Sequence, residues 1–189
     1  FKPHTVHPKT QDFEIQLKWF SAICRIVKKM KRFSIGAIGA RTTAFKSVRF
    51  DELTLQKYGI TTETIDLSEL LLRVKDIKTG TEKFVQKINR LKNYTNWNSV
   101  PEEKLSALAR LSLGIDDIIN EYKLDCIALR CWIEIEKILG VSPCVLLSEL
   151  NDRGVVSVCE SDICNVIAMY ALSLASQIPS ACLDWNNNY

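Results

Sequence analysis

The sequence predicts an α/β protein, and three observations carry that expectation. Short apolar runs rich in β-branched residues recur along the 189-residue chain, at Phe33–Ile38, Ile60–Ile65, Cys126–Leu129 and 155–159. Stretches of helical periodicity lie between them, and glycine, proline or asparagine marks the joins. Strands that alternate with helices build βαβ units, whose right-handed crossovers return each strand parallel to the one before. The expected product is a three-layer αβα domain, Rossmann-like, on a doubly wound and mainly parallel sheet of about five strands. Residues 1–32 read as an N-terminal segment and linker helix, and residues 33–189 as the α/β domain.

Each element has its own signal. Phe13, Leu17, Phe20, Ile23, Val27 and Met30 repeat at helical spacing ahead of the first strand. They make an amphipathic helix that packs on the sheet or bridges to a preceding domain. Phe33–Ile38 is the first strand, followed by a glycine-containing turn and a helix over roughly 45–58 that Gly59 closes. Ile60–Ile65 alternates as the second strand, after which Asp66 and Ser68 offer N-caps to a helix over 69–74. From 75 to 100, Thr79-Gly80-Thr81 and the polar stretch from Asn93 to Asn98 punctuate a short helix near 84–91, which reads as a surface excursion. Ser99-Val100-Pro101-Glu102 has capping-box spacing, and Leu105, Leu108, Ile115, Ile118, Ile119 and Tyr122 follow at helical intervals. Cys126–Leu129 is the third strand, two short helices follow at 133–139 and 143–150, and 155–159 is the fourth. Ile163, Val166, Ile167, Tyr170 and Leu174 give the last helix, which Pro179 stops before a fifth strand at 180–183.

Composition narrows the function classes. With 47% hydrophobic and 25% charged residues the chain can bury a full core under an ordinary globular surface. The net charge of +3 is mild, and the densest basic cluster, at 28–32, ends a helical pattern where cations complement the helix dipole. No aromatic platform accompanies it, so nucleic acid is not an expected partner. No apolar run approaches the roughly 20 residues of a membrane span, and a signal peptide is not expected. The seven cysteines are an odd number, and Cys24, Cys126, Cys144, Cys164 and Cys182 sit in apolar runs like small core residues, which fits a reduced cytoplasm. No C-x-x-C pair suggests zinc. Gly36-Ala37-Ile38-Gly39 lacks the third glycine and the lysine of phosphate-binding loops, so its glycines are expected to serve a tight turn. His4 and His7 lie in a proline-flanked tail.

The chemistry concentrates at the carboxyl edge of the expected sheet. Glu160 closes the fourth strand and Asp184 the fifth, with one helix between them, so both emerge where open α/β sheets bind ligands. Strands roughly 5 Å apart, or roughly 10 Å if one intervenes, let two carboxylates converge on one hard cation. Alternatively, Glu160 caps the following helix and Asp184 a loop, and spacing alone leaves both readings open. Cys159 is expected on the opposite side of the strand from Glu160. Trp132 ends the third strand on the same edge, as a sugar-stacking platform or as a buried ring. Trp185 and Asn186 follow Asp184 and are placed to contact hydroxyls.

Three stretches also carry a resemblance: Arg130-Cys131-Trp132-Ile133-Glu134; Pro143-Cys144 with Leu147-Ser148-Glu149-Leu150; and Cys159-Glu160-Ser161-Asp162 with Leu183-Asp184. Together with the upstream Ile35-Gly36-Ala37-Ile38-Gly39-Ala40-Arg41 they resemble the second domain of the L-fucose isomerase and D-arabinose isomerase family, from about residue 33 onward. The resemblance implies an aldose–ketose isomerase that works through an enediol on a small-molecule sugar. It further implies a manganese ion, with magnesium as the alternative, held by Glu160 and Asp184, which double as the catalytic carboxylates. The third ligand would be a histidine from a later, C-terminal domain. Arg130, Trp132, Trp185 and Asn186 would line the substrate. Read from the residues alone, Arg41 and Arg49 are free either for a salt bridge or for an anionic sugar substituent. Leu129 and Cys131 stand in a neighbourhood where the family carries glutamines, so the sugar itself is not named. The family assembles into large rings, which implies a homo-oligomer. The chain opens at Phe1 and closes at Tyr189, just past Asp184, so it is expected to be a piece of a longer protein and inactive alone. A sugar-binding or oligomer-assembly domain without catalysis is the alternative.

Overall fold

The computed structural model describes residues 5–183. Its centre is a four-stranded, all-parallel sheet in the order β2-β1-β3-β4, with β1 Phe33–Ile38, β2 Ile60–Ile65, β3 Cys126–Leu129 and β4 Val156–Cys159. The register aligns Ile38 with Ile65 and with Leu129, and Leu129 in turn with Cys159, so the carboxyl ends of all four strands form one edge.

Side chains alternate along each strand and sort the core into two layers. Phe33, Ile35, Ala37, Cys126, Ala128, Val156 and Val158 face α8 (Ile163–Ser176), whose Ile163, Val166, Met169 and Tyr170 cover them. Helix α2 (Glu52–Lys57) joins β1 to β2 on this side through Leu55, and α1 (Gln11–Met30) lies outside, against α8. Ile38, Ile65, Ile127 and Leu129 face the other way. There α3 (Leu67–Asp76), α4 (Glu82–Tyr94), α5 (Glu102–Tyr122), α6 (Glu134–Leu139) and α7 (Cys144–Asp152) build the larger core layer. The chain thus leaves β1 over one face and returns to β3 over the other. That reversal makes the crevice between the carboxyl ends of β1 and β3 the switch point of a doubly wound sheet.

The expected architecture holds, with corrections. The fifth strand does not form among the described residues. Residues 180–183 are irregular, and Ser180 Oγ donates to the Met169 carbonyl at 2.9 Å, which folds the segment back on α8 instead of extending it beside β4. Its small residues offer little β-branched surface, and Leu183 stays 85% exposed. The expected helix over 45–58 shrinks to α2. Asp51 caps it by accepting from the Thr54 amide and hydroxyl, while Arg41 Nη1 donates to the Thr42 and Phe45 carbonyls and holds the preceding residues as a loop. The capping box at Ser99 is not used: α5 starts behind Pro101, whose carbonyl accepts from the Lys104 and Leu105 amides. The stretch from 75 to 100 is no surface excursion either, because Phe84 and Leu91 of α4 are buried and the Trp97 ring nitrogen donates to the Leu91 carbonyl at 2.6 Å. Of the five cysteines expected in the core, only Cys126 is buried; Cys24, Cys144, Cys164 and Cys182 are exposed. Among the described residues no helix is long and apolar enough to cross a membrane.

Candidate functional site

The carboxyl edge is built by three strand ends that lock to one another. Past β1, Gly39 takes φ +84°, and a Cβ there would meet Arg130 Cβ at 2.8 Å, so only glycine lets the two chains approach this closely. The Arg130 amide donates to the Ile38 carbonyl, and Ser161, behind β4, donates its hydroxyl to the Gly39 carbonyl. Strands β1, β3 and β4 are therefore tied together at the level of Glu160.

Glu160 leaves β4 in a left-handed conformation, φ +62°, and Ser161 follows at φ +59°. This turn ends the strand and passes the chain to α8. The N-cap of α8 is Asp162, whose carboxylate accepts from the Asn165 amide at 3.0 Å and from the Asn165 side chain at 2.7 Å. Glu160 is thus not the cap of α8, which corrects the capping alternative for this residue. It lines a cavity of about 480 Å³ together with Cys144, Ser148, Cys159, Asn165 and Cys182. Cys159 shares that cavity instead of pointing away from Glu160, because the left-handed turn at Glu160 interrupts the strict alternation of an extended strand.

The partners from the third strand lie one chain over. Arg130 bonds the Glu134 carboxylate at 2.7 Å and donates to the Trp132 carbonyl at 3.3 Å. Trp132 is 41% exposed and tilted against Phe45, with ring centroids 5.5 Å apart, and its carbonyl also accepts from the Thr42 hydroxyl. The ring is therefore not the buried one of the two readings. The structure therefore brings Glu160, Arg130 and Trp132 to one edge, with Glu160 on the cavity and the other two at the switch point. Asp184, Trp185 and Asn186 lie outside the described residues.

One contact was not anticipated from sequence. The Cys159 thiol donates to the Cys131 sulfur, which also accepts the Glu160 backbone N–H. The bond from Cys159 outweighs burial and brings Cys131 down to about 7, while the same bond and burial push Cys159 up. Reading the cysteines by their spacing along the chain, as in the search for a C-x-x-C pair, hid this contact. The usable signal was strand register, since the two thiols follow neighbouring strand ends.

The donor chemistry at this edge is mixed. Glu160 offers the hard oxygen that manganese or magnesium prefers, Asp162 is committed to its cap, and the neighbouring thiols are soft. Among the described residues no three metal-ligating side chains converge.

An α/β domain with a cavity at the end of its edge strand is the class these observations define. No family model matches the chain. The chain is similar to curated proteins named sulfoquinovose isomerase: 28% identical over 151 residues to that of Priestia megaterium, with 79% of this chain covered. The same figures apply to the protein from Alkalicoccus urumqiensis, and that of Clostridium sp. is 25% identical over 164 residues, 82% of this chain. The chain spans about a third of the length of these relatives, 33 to 35%.

Proposed function

We propose that the chain is the middle part of a metal-dependent aldose–ketose isomerase that acts through an enediol, in a soluble cytoplasmic protein. The observation that carries this reading is the place of Glu160, at the end of β4 on a cavity, in a chain similar to sugar isomerases over most of its length. Glu160 and Asp184 would hold manganese or magnesium, with a histidine from outside this chain. When bound, the ion would polarise the sugar's carbonyl and adjacent hydroxyl and acidify the C–H between them.

The chain's own residues do the rest. A carboxylate bound tightly to a cation is a weak base, so proton transfer between C1 and C2 requires that Glu160 or Asp184 be held loosely. Trp132, half exposed at the switch point, supplies an apolar face for the sugar ring, and Arg130 fixes the loop carrying that ring through the Trp132 carbonyl. Trp185 and Asn186 would complete the hydroxyl contacts. Sulfoquinovose is the first sugar to test, since the relatives carry its name; other aldoses, pentoses and 6-deoxyhexoses complete the panel.

In the intact protein, Glu160→Gln keeps the shape but removes a charge, so metal affinity and turnover are expected to fall together, by at least about 10- to 100-fold. Val166→Ala, in the core beneath α8, should lower stability and leave turnover per folded molecule unchanged. A fully active Glu160→Gln enzyme would end the proposal. The 189-residue chain alone should not isomerise, because two carboxylates hold the ion weakly and no neighbouring domain closes over it.

A further inference from the structure

Helices α3, α5 and α6 enclose a cavity of about 560 Å³ on the outside of the larger core layer, and none of its lining residues borders the cavity beside Glu160. Gly114 brings α5 and α3 together, since a Cβ there would meet Val74 Cγ2 at 3.0 Å. Arg110 lies one turn earlier on the same ridge of α5, and it lines the cavity with Leu71 and Leu72 of α3 and Ile138 and Leu139 of α6. Leu72 and Ile138 are 61 and 60% exposed, so these apolar walls are open to a ligand.

The polar group in this wall lacks a counterpart. Arg110 Nε is sealed from solvent and has no acceptor, and Arg110 forms no ion pair among the described residues. Arg73 also has a sealed Nε without an acceptor, but its other nitrogens bond Glu121 and Glu69 at 2.8 and 2.6 Å. In the middle of α5, Arg110 has no helix end to complement either. A guanidinium stays charged, and a buried charged donor left unmet is costly.

The lining selects the occupant. Lys75, the other charged residue of the wall, is also a cation, and no described carboxylate borders the cavity. An anion is favoured, yet a bare inorganic one would leave the leucine and isoleucine walls wet. The guanidinium fork matches the two oxygens of a carboxylate, and the cavity is of the size that takes small molecules. We propose that this cavity, which the isomerase reading does not use, binds a small amphiphilic carboxylate, with its head on Arg110 and Lys75 and its hydrocarbon body between α3 and α6.

Isothermal titration calorimetry of the 189-residue chain with octanoate tests this, beside octanol, which has the body without the charge, and acetate, which has the charge without the body. Octanoate is expected to bind saturably at a single site, and the other two at least about tenfold more weakly. Arg110→Met keeps the stem and removes the charge, so it should weaken octanoate at least about tenfold and leave it no tighter than octanol. Leu72→Asp, at an exposed position, should weaken octanoate with the far-ultraviolet circular dichroism unchanged, whereas Leu17→Asp, in the apolar groove between α1 and α8, should leave binding as it was. Absence of saturable octanoate binding overturns the proposal. So does octanol that binds as tightly as octanoate, a folded Arg110→Met or Leu72→Asp chain that binds octanoate like the native one, or binding lost with Leu17→Asp.

Discussion

The two faces of the sheet are built to different standards. On one, helices α3 to α7 seal a continuous apolar layer in which Leu70, Leu91, Leu111, Ile115 and Ile118 are fully buried. They also enclose a charged chain: Lys87 and Arg153 both bond Asp116, and Arg90 and Arg153 reach Glu149, which has no exposure at all. On the other, α8 covers most of the strands with only the short α2 beside it, and α1 rests on α8 without burying a residue. The closed face supplies stability. The thin face ends at the cavity beside Glu160, so the candidate site borders the face with the least core to lose.

The sharpest way to break this contrast is to empty both layers in turn. Ile115→Ala, in the closed face, is expected to cost about 4 kcal/mol, and Ile35→Ala, an equal deletion in the layer under α8, about 3, read from denaturant midpoints. Equal losses would show that the two layers bear equal weight.

Next in size is the buried charge. Asp116→Asn leaves Lys87 and Arg153 without their carboxylate and should cost about 3 kcal/mol. Burial opposes ionisation of Asp116, but hydrogen bonds from Arg153 and Lys87 outweigh it and hold the group below its ordinary value of 3.8. A depressed folded value means stabilisation that is fully present above pH 3.8 and lost as pH falls from there through the folded value. Thermal midpoints taken down through that range should fall more steeply for the native chain than for Asp116→Asn, and parallel curves would refute the assignment.

Smaller still is the helix cap beside the cavity. Asp162→Ala should cost about 1 kcal/mol by exposing the first turn of α8, whereas Glu160→Gln, outside that cap, should change stability by less than about 0.5. A reversed order would return Glu160 to a structural role. The smallest effect belongs to α1, where Trp19→Ala, at 71% exposure, should shift the unfolding free energy of dilute protein by no more than about 0.5 kcal/mol.

Much of this was legible in residues. Strands β1 and β3 were bounded correctly because a strand buried on both faces reads as a continuous apolar run, and β2 because its alternation is that of a half-buried edge strand. The last strand was not, because the run from Ser180 to Leu183 has an apolar pattern but its fate depended on a contact with Met169 that no spacing reveals. Glu160 was readable as the end of β4, but not its release from capping, which turns on Asp162 two residues later.

Sequence alone determined the alternation of helix and strand, the parallel sheet and the edge at which Glu160, Arg130 and Trp132 gather, because periodicity, caps and right-handed crossovers are local rules. Tertiary structure decided which cysteines meet, which carboxylate caps and which lines the cavity, and which side of α1 is covered. Those depend on strand register and on layers brought together from distant parts of the chain, where the energy of a contact is set by neighbours that sequence spacing does not identify.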